Sequence, residues 1–167
     1  MSIVTVQTWF QSQLNGLAIP GPADMDRLEA VITPPDPNEE PQPMAYIWPS
    51  NGSEDRQAMP RNTGPNTPAG WKNFRPRMDV YLTWFNSPDD PYSDTAFPTV
   101  VDAVLRALRT SPDPAEAVDP NTGEVSWLMG VGEEMSWQNL GVTATADQRY
   151  LRYDALVQAS FLESIKA

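Results

Sequence analysis

The segment from Arg77 to Arg109 constrains the fold of this chain more than any other part of its sequence. It reads RMDVYLTWFNSPDDPYSDTAFPTVVDAVLRALR: an alternating apolar stretch, an acidic loop with prolines and an amphipathic stretch. Alternation at period two is typical of a β-strand, and apolar residues at i, i+4, i+7 and i+8 are typical of a helix with one buried face. The segment therefore predicts a strand over residues 77–86, a loop over 86–94 and a helix that ends before Ser111.

The apolar side chains of this strand and this helix form most of the candidate core. Successive side chains of a strand point to opposite faces, so the even-numbered residues of the strand share one apolar face. The opposite face, with Asp79, Tyr81, Thr83 and Phe85, is only half polar, which indicates partial cover. With one residue from the last predicted strand, the candidate core is Val80, Leu82, Trp84, Val101, Val104, Leu105, Leu108 and Val157.

Apolar periodicity predicts further elements on both sides of this segment. Helical spacing indicates a first helix near residues 2–15, and alternation indicates strands over 25–33 and 125–141. The short aromatic run at 44–49 is bounded by prolines, which is typical of a strand at a sheet edge. Residues 149–165 alternate cleanly and favour a strand, although their Ala, Leu and Gln content leaves a helix open.

The order helix, strand, strand, strand, helix, strand, strand predicts an α+β fold. We expect one domain over residues 1–167, with a mostly antiparallel sheet, an N-terminal helix and a second helix packed on one face. Twelve of the 18 prolines lie between Pro20 and Pro76, which predicts long Pro-rich loops. Residues 50–75 show no period and predict a long irregular loop. Near its end, Trp71 and Phe74 are expected either to attach the loop to the core or to contact a partner.

The residue inventory argues against catalysis. The chain has no cysteine and no histidine, so thiolate nucleophiles, histidine bases and the commonest metal ligands are excluded. Three pairs of adjacent acids, at Glu39–Glu40, Asp89–Asp90 and Glu133–Glu134, fit a solvated surface better than a catalytic cleft. No Walker motif, dinucleotide fingerprint or nucleophile elbow is present. We therefore expect no enzyme activity, no catalytic residues, no cofactor and no metal.

The charge balance bears on partners. Twenty-two acids against 11 bases give a net charge of −11, which argues against a general nucleic-acid binder. An acidic surface would let a DNA duplex pass without adhering to it. The first residues lack a basic n-region, and no apolar run approaches the roughly 20 residues needed to span a bilayer. These patterns predict a soluble intracellular protein or a component of a particle.

Several local patterns carry a family resemblance. They are the strand RMDVYLTWF with its acidic loop, the helix FPTVVDAVLRAL, the turn DPNTG before VSWLMGVGEEMSW, and the closing DQRYLRYDALVQASF. In these patterns and in the order of its elements the chain resembles the tail terminator proteins of long-tailed bacteriophages, in particular those of actinobacterial phages. The layout covers the whole chain, and the likeness is closest over residues 75–162.

The resemblance implies a structural virion protein of the neck, assembled in the host cytoplasm. Such proteins form a homohexameric ring that caps the tail tube, ends its polymerisation and joins it to the head connector. The implied partners are other copies of the chain, the tail-tube protein and a head-completion (stopper) protein, with no membrane and with genomic DNA passing through without specific binding. The candidate contacts between subunits or with partners are Trp71, Phe74, Asp89, Asp90 and Tyr92.

Three alternatives remain open. A head-completion stopper and a tail-tube subunit belong to the same structural class as a tail terminator. A carbohydrate-binding module belongs to another class and would use Trp48, Trp71 and Trp137 as platforms for sugar rings.

Overall fold

One of the two central strands of the sheet contains the strand that the Arg77–Arg109 segment predicts. The structure, a computed structural model, describes residues 3–22, 24–36, 41–56, 71–109, 116–118 and 125–166. These residues form two helices, α1 (Ile3–Leu14) and α2 (Ser93–Arg109), and six strands: β1 (Glu29–Val31), β2 (Met44–Arg56), β3 (Trp71–Asn86), β4 (Glu116–Val118), β5 (Val125–Ala144) and β6 (Leu151–Lys166).

The six strands form one sheet in the order β1-β2-β3-β6-β5-β4. The strand β1 runs parallel to β2, and every other neighbouring pair is antiparallel. Both helices pack on the same face of this sheet, because their apolar residues and the even-numbered residues of β3 belong to one core cluster. The predicted α+β class, with a mostly antiparallel sheet and two helices on one face, is confirmed.

The predicted core residues are all buried. The exposed fraction is 7% or less at each of Val80, Leu82, Trp84, Val101, Val104, Leu105, Leu108 and Val157. Helix α1 adds three fully buried side chains, Val6, Phe10 and Leu14. Burial of apolar surface on this scale is the main favourable term in folding.

Trp84 connects four parts of the core. Its indole Nε1 donates a hydrogen bond of 2.7 Å to the carbonyl of Pro20, in the segment after α1. Its ring lies 5.9 Å from that of Phe97 on α2 and 5.3 Å from that of Tyr153 on β6. The Tyr153 hydroxyl donates to Asp94 Oδ1 at 3.0 Å, so the buried phenol also has a partner.

Hydrogen bonds from side chains attach α1 to the sheet edge. Gln7 Nε2 donates to the Ile47 carbonyl at 2.7 Å, and Gln11 Nε2 donates to the Ala30 carbonyl at 3.0 Å. The Ala30 N–H donates in turn to Asn15 Oδ1 at 3.1 Å. The predicted helix at 2–15 therefore packs within its own chain.

Two predictions for the first half of the chain need correction. The strand predicted at 25–33 shortens to β1, because the preceding residues pair with the segment after α1 through the bridge between Ala18 and Arg27. The strand predicted at 44–49 continues to Arg56, and it lies beside β1 rather than at the edge over its first three residues.

The irregular loop predicted at 50–75 is shorter than expected. Its two ends are strands, since β2 and β3 remain paired as far as Arg56 and Lys72. A bulge at Pro49–Asn51 shifts the register, and the paired residues beyond it are mostly polar. Backbone pairing does not require apolar alternation, so periodicity could not find these ends. The middle of the predicted loop, 57–70, lies outside the described residues.

The second half of the chain agrees better with expectation. Residues 149–165, for which a helix was left open, form the strand β6. The predicted strand at 125–141 extends to Ala144. The short strand β4 was not predicted, and it pairs with the start of β5 as the two arms of a hairpin. The predicted turn residues 119–123 lie outside the described part of the chain.

We predict that Leu105→Asp abolishes cooperative folding. The substitution buries a carboxylate among apolar side chains of α2 and the sheet, which costs more than about 4 kcal/mol. Thr99→Asp, at an exposed position of the same helix, is the matched control. Urea unfolding monitored by circular dichroism should show a transition for the control and none for Leu105→Asp. A normal transition for Leu105→Asp would contradict the assignment of this helix face to the core.

Candidate interaction surface

The sheet face opposite the helices carries a cluster of aromatic side chains. We call Tyr46, Trp48 and Tyr81 the aromatic patch. The ring of Tyr46 stacks on that of Tyr81 at 6.1 Å and lies 6.2 Å from that of Trp48. Trp48 is 48% exposed and Tyr81 40% exposed. Large aromatic side chains exposed together on a folded domain are typical of an interaction site.

Strand register brings the aromatic patch together. Tyr46 of β2 is paired with Tyr81 of β3, and Tyr81 with Leu156 of β6, so the three side chains form one row across the sheet. Partial burial in this row raises the pKa of the Tyr46 phenol above its usual 10.0, and the neighbouring Tyr81 raises it further. The Tyr46 phenol therefore stays protonated at neutral pH.

Polar groups flank the patch on both sides. On one side Gln158 Nε2 donates to Asp79 Oδ1 at 2.9 Å, and Arg77 donates to Gln158 Oε1. On the other side Asp154 Oδ1 accepts hydrogen bonds from Thr83 at 2.9 Å and from Arg152 at 3.0 Å. An apolar centre with a hydrogen-bonded polar rim is the usual anatomy of a protein–protein interface.

A cleft of about 360 Å³ opens at one end of the same face. Side chains of the sheet form its floor, and the chain before β2 forms one wall. The lining residues are Pro35, Asp36, Pro41, Gln42, Met44, Thr83, Phe85, Thr143, Ala144, Thr145, Ala146 and Arg152. In the part of the chain that the structure describes, no group of three or more acidic side chains is arranged to hold a metal ion.

Asp90, predicted as a contact residue, has a structural role in the acidic loop. Its carboxylate accepts hydrogen bonds from the Tyr92 N–H at 2.8 Å and from Asn86 Nδ2 at 2.7 Å. These two bonds hold the pKa of the Asp90 carboxyl below its usual value. The loop that they shape directs the chain into α2 at Ser93.

The five predicted contact residues do not form one site. Trp71 and Phe74 lie near the start of β3, and their side chains lie outside the described part of the structure. Asp89 and Tyr92 are exposed, but they follow the other end of the strand. Phe74 is twelve positions from Asn86, the end of β3 that precedes Asp89 and Tyr92, which is a distance of about 40 Å.

Sequence reasoning missed the aromatic patch as a site. Tyr81 was placed on the second face of its strand, but Tyr46 and Trp48 were not connected with it. The available signal was that the aromatic positions of MAYIWP alternate with buried Ala45 and Ile47. That alternation places both aromatic side chains on the face away from the helices.

Comparison with known proteins adds no family. No protein-family model matches the chain, and no curated protein shows significant similarity to it. Among the described residues, no helix is long and apolar enough to cross a membrane.

We predict that Asp90 makes the protein more sensitive to acid. Its pKa is lower in the folded than in the unfolded chain, so the unfolded chain binds more protons as the pH falls below about 4. The stabilisation is present above the unfolded pKa and is lost as the pH falls through the folded pKa.

Urea midpoints at pH 7, 4 and 3 measure this effect. Asp90→Asn keeps an acceptor oxygen but does not titrate, so its midpoint should fall less between pH 7 and 3 than that of the wild type. Asp89→Asn, the same change one residue earlier, should follow the wild type. Equal acid sensitivity of the wild type and Asp90→Asn would refute the assignment.

Proposed function

We propose that this protein is a ring-forming structural subunit of a phage tail, of the tail-terminator type. In this role copies of the chain close into a hexameric ring that caps the tail tube and presents a surface to the head connector. The observation that carries the proposal is the aromatic patch, which lies on a sheet face that its own helices leave uncovered. Such a surface requires a partner, and a ring supplies one to every subunit.

The net charge supports a passage for DNA. The chain carries a net charge of −11, so an assembled ring would be strongly acidic. A duplex would meet like charge instead of a basic groove, and it would pass without counterion-releasing contacts. The resemblance described above adds the tail-tube protein and the stopper protein as partners.

The two alternative structural roles, tail-tube subunit and head-completion stopper, would also give the aromatic patch a partner. A tail-tube subunit would also form rings, but its rings would stack without limit. A head-completion stopper would be expected to form a small β-barrel with few helices, which fits the two-helix α+β fold less well. Single-ring assembly in solution separates the tail terminator from the tube subunit.

The positions of the tryptophans weaken the carbohydrate-binding alternative. Trp48 of β2 is paired with Asp79 of β3, which is paired with Gln158 of β6, whereas Trp137 of β5 is paired with Val157 of β6. Adjacent residues of β6 point to opposite faces, so the two tryptophans lie on opposite sides of the sheet. The Trp71 side chain lies outside the described part of the structure.

Native mass spectrometry, together with a tube-assembly assay, tests the proposal. The full chain should give a six-subunit mass, alone or on mixing with the tail-tube protein. Added to growing tubes, it should stop elongation. Unlimited stacking would assign the chain to the tube itself, and a monomer without effect on tubes would contradict the proposal.

We predict that Trp48→Ala weakens ring formation at least tenfold without unfolding the subunit. Interface aromatic residues contribute about 2 kcal/mol or more when they are central, and 1.4 kcal/mol corresponds to a factor of ten. Ring population measured by mass photometry, with thermal unfolding as a folding check, gives the result.

Tyr92→Ala is the matched variant for that prediction. It removes an exposed aromatic side chain from the loop that sequence analysis favoured as a contact. Ring formation should be less affected by Tyr92→Ala than by Trp48→Ala. The reverse order would move the contact from the aromatic patch to the acidic loop.

A further inference from the structure

Among the described strands, none pairs with one long stretch of the outer edge of β5. We call Met135–Ala144, with the sequence MSWQNLGVTA, the edge strip. The strand β4 pairs only with Val125–Trp127 of β5, and no other described strand pairs with the edge strip on the side away from β6. Every residue from Ser136 to Ala144 is exposed. The strip therefore offers unpaired backbone N–H and C=O groups to another strand.

The edge strip has neither charge nor proline to block pairing. Natural sheet edges are blocked by charged residues, by prolines, by bulges or by a covering element. The opposite side of this sheet has such devices, since β1 covers the start of β2 and Pro49 follows. The edge strip contains no charged residue and no proline, in a chain with a net charge of −11.

Three large apolar side chains stand exposed along the strip. Trp137 is 54% exposed, Leu140 48% and Val142 46%. Trp137 and Val142 lie on the helix side of the sheet, because their partners on β6 are the buried Val157 and Tyr153. The helices do not cover them there, so a neighbouring molecule is needed to bury them.

A bulge at the middle of the strip determines which residues share a face. Asn139 is paired with Ala155 and Gly141 with Asp154, so Leu140 is the extra residue. Gly141 has a φ of 120°, which favours glycine, and its N–H donates to Asn139 Oδ1 at 2.9 Å. Because of this extra residue, odd-numbered residues before the bulge and even-numbered residues after it lie on the same face of the sheet.

We propose that the edge strip pairs antiparallel with the same strip of a second copy of this chain. The two-fold axis passes between Asn139 and Leu140. Trp137 of one copy then lies opposite Val142 of the other, and both are apolar residues of the helix-side face.

The remaining positions of the strip match in the same register. On the helix side Met135 faces Ala144 of the second copy. On the other side Ser136 faces Thr143, and Gln138 faces Gly141. The bulge makes the face pattern symmetric about the axis, whereas a shift of one residue would place the pairs on opposite faces. No like charges meet across the contact, so the acidic charge of the chain does not oppose it locally.

This contact is independent of the proposed ring. A ring is built from heterologous contacts between different surfaces, whereas pairing of a strip with itself is isologous and closes at two copies. The pairing would join two subunits, or two rings, through β5. The aromatic patch lies on the other face of the sheet and is not used.

Engineered cysteines provide a direct test, because the chain has no cysteine of its own. Residues directly opposite in an antiparallel pair have Cα atoms about 4.5–5.5 Å apart, within the range of a disulfide. Within one chain, positions 137 and 142 are five residues apart along a strand, about 17 Å, which is too far for a disulfide. The double variant Trp137→Cys/Val142→Cys should therefore form a covalent dimer under mild oxidation, seen by intact mass.

The controls separate register from mere proximity. Each single cysteine variant should form no disulfide-linked dimer, because positions 137 and 142 each face the other position across the axis. Trp137→Cys/Thr143→Cys, with the second cysteine on the opposite face, should give little dimer. Equal cross-linking in this control, or covalent ladders longer than two copies, would overturn the proposal. Absence of the dimer from a double variant with wild-type circular dichroism would do the same.

A charge substitution tests the contact without cysteines. Val142→Lys places a charged ammonium group against Trp137 of the other copy, in place of an apolar contact, and should weaken dimerisation at least tenfold in sedimentation equilibrium. Thr99→Lys makes the same charge change at an exposed site on α2 and should leave dimerisation unchanged. Self-pairing would be refuted if Val142→Lys dimerised like the wild type. It would also be refuted if the wild type stayed monomeric or paired this edge only with another protein. A specific dimer without a six-subunit mass would contradict the proposed ring but support the pairing of the edge strip.

Discussion

The alternation of side chains along β3 is the constraint on which the rest of the structure depends. The strand lies between β2 and β6 in the sheet, so each of its faces belongs to a different surface of the molecule. Its even-numbered residues, from Met78 to Trp84, are fully buried beneath the helices. Its odd-numbered residues contribute Tyr81 to the aromatic patch and Asp79 to the polar rim. A change of register by one residue would exchange these two roles.

Trp84 shows how this arrangement joins distant parts of the chain. One side chain contacts the segment after α1 by a hydrogen bond and contacts α2 and β6 by ring packing. The helix face around β3 is thereby covered within a single subunit. The opposite face receives no such cover, and its aromatic residues remain available for other molecules. The functional proposal follows from this asymmetry between the two faces.

The parts of the fold that were predictable are those with strong apolar periodicity. Apolar periodicity predicted β3, α2 and β6, and the buried side chains of each element follow that periodicity in the structure. The polar ends of the β2–β3 pair could not be predicted, because residues such as Asn51 and Arg75 are held by backbone pairing rather than by burial. Asp90 was predicted as a contact residue, whereas its hydrogen bonds within the loop depend on the positions of Asn86 and Tyr92 in the fold.

The aromatic patch and the edge strip were harder to predict for another reason. Each depends on register across neighbouring strands, and no single segment of sequence contains that information. Tyr46 and Tyr81 are 35 positions apart in the chain, yet they are directly paired in the sheet. The symmetry of the edge strip becomes visible only when the bulge at Leu140 is located. The resemblance to tail terminators came from local patterns, and it does not specify either surface.

Hydroxyl-radical footprinting of side chains, on the free chain and on its assembly, tests the division between the two faces most directly. In the free chain Trp48 and Tyr81 should be oxidised readily, whereas the buried Trp84 should be unreactive. In the assembly Trp48 and Tyr81 should become protected, with Trp84 unchanged. Equal oxidation of Trp48 and Tyr81 in both states would contradict a role of the uncovered face in assembly.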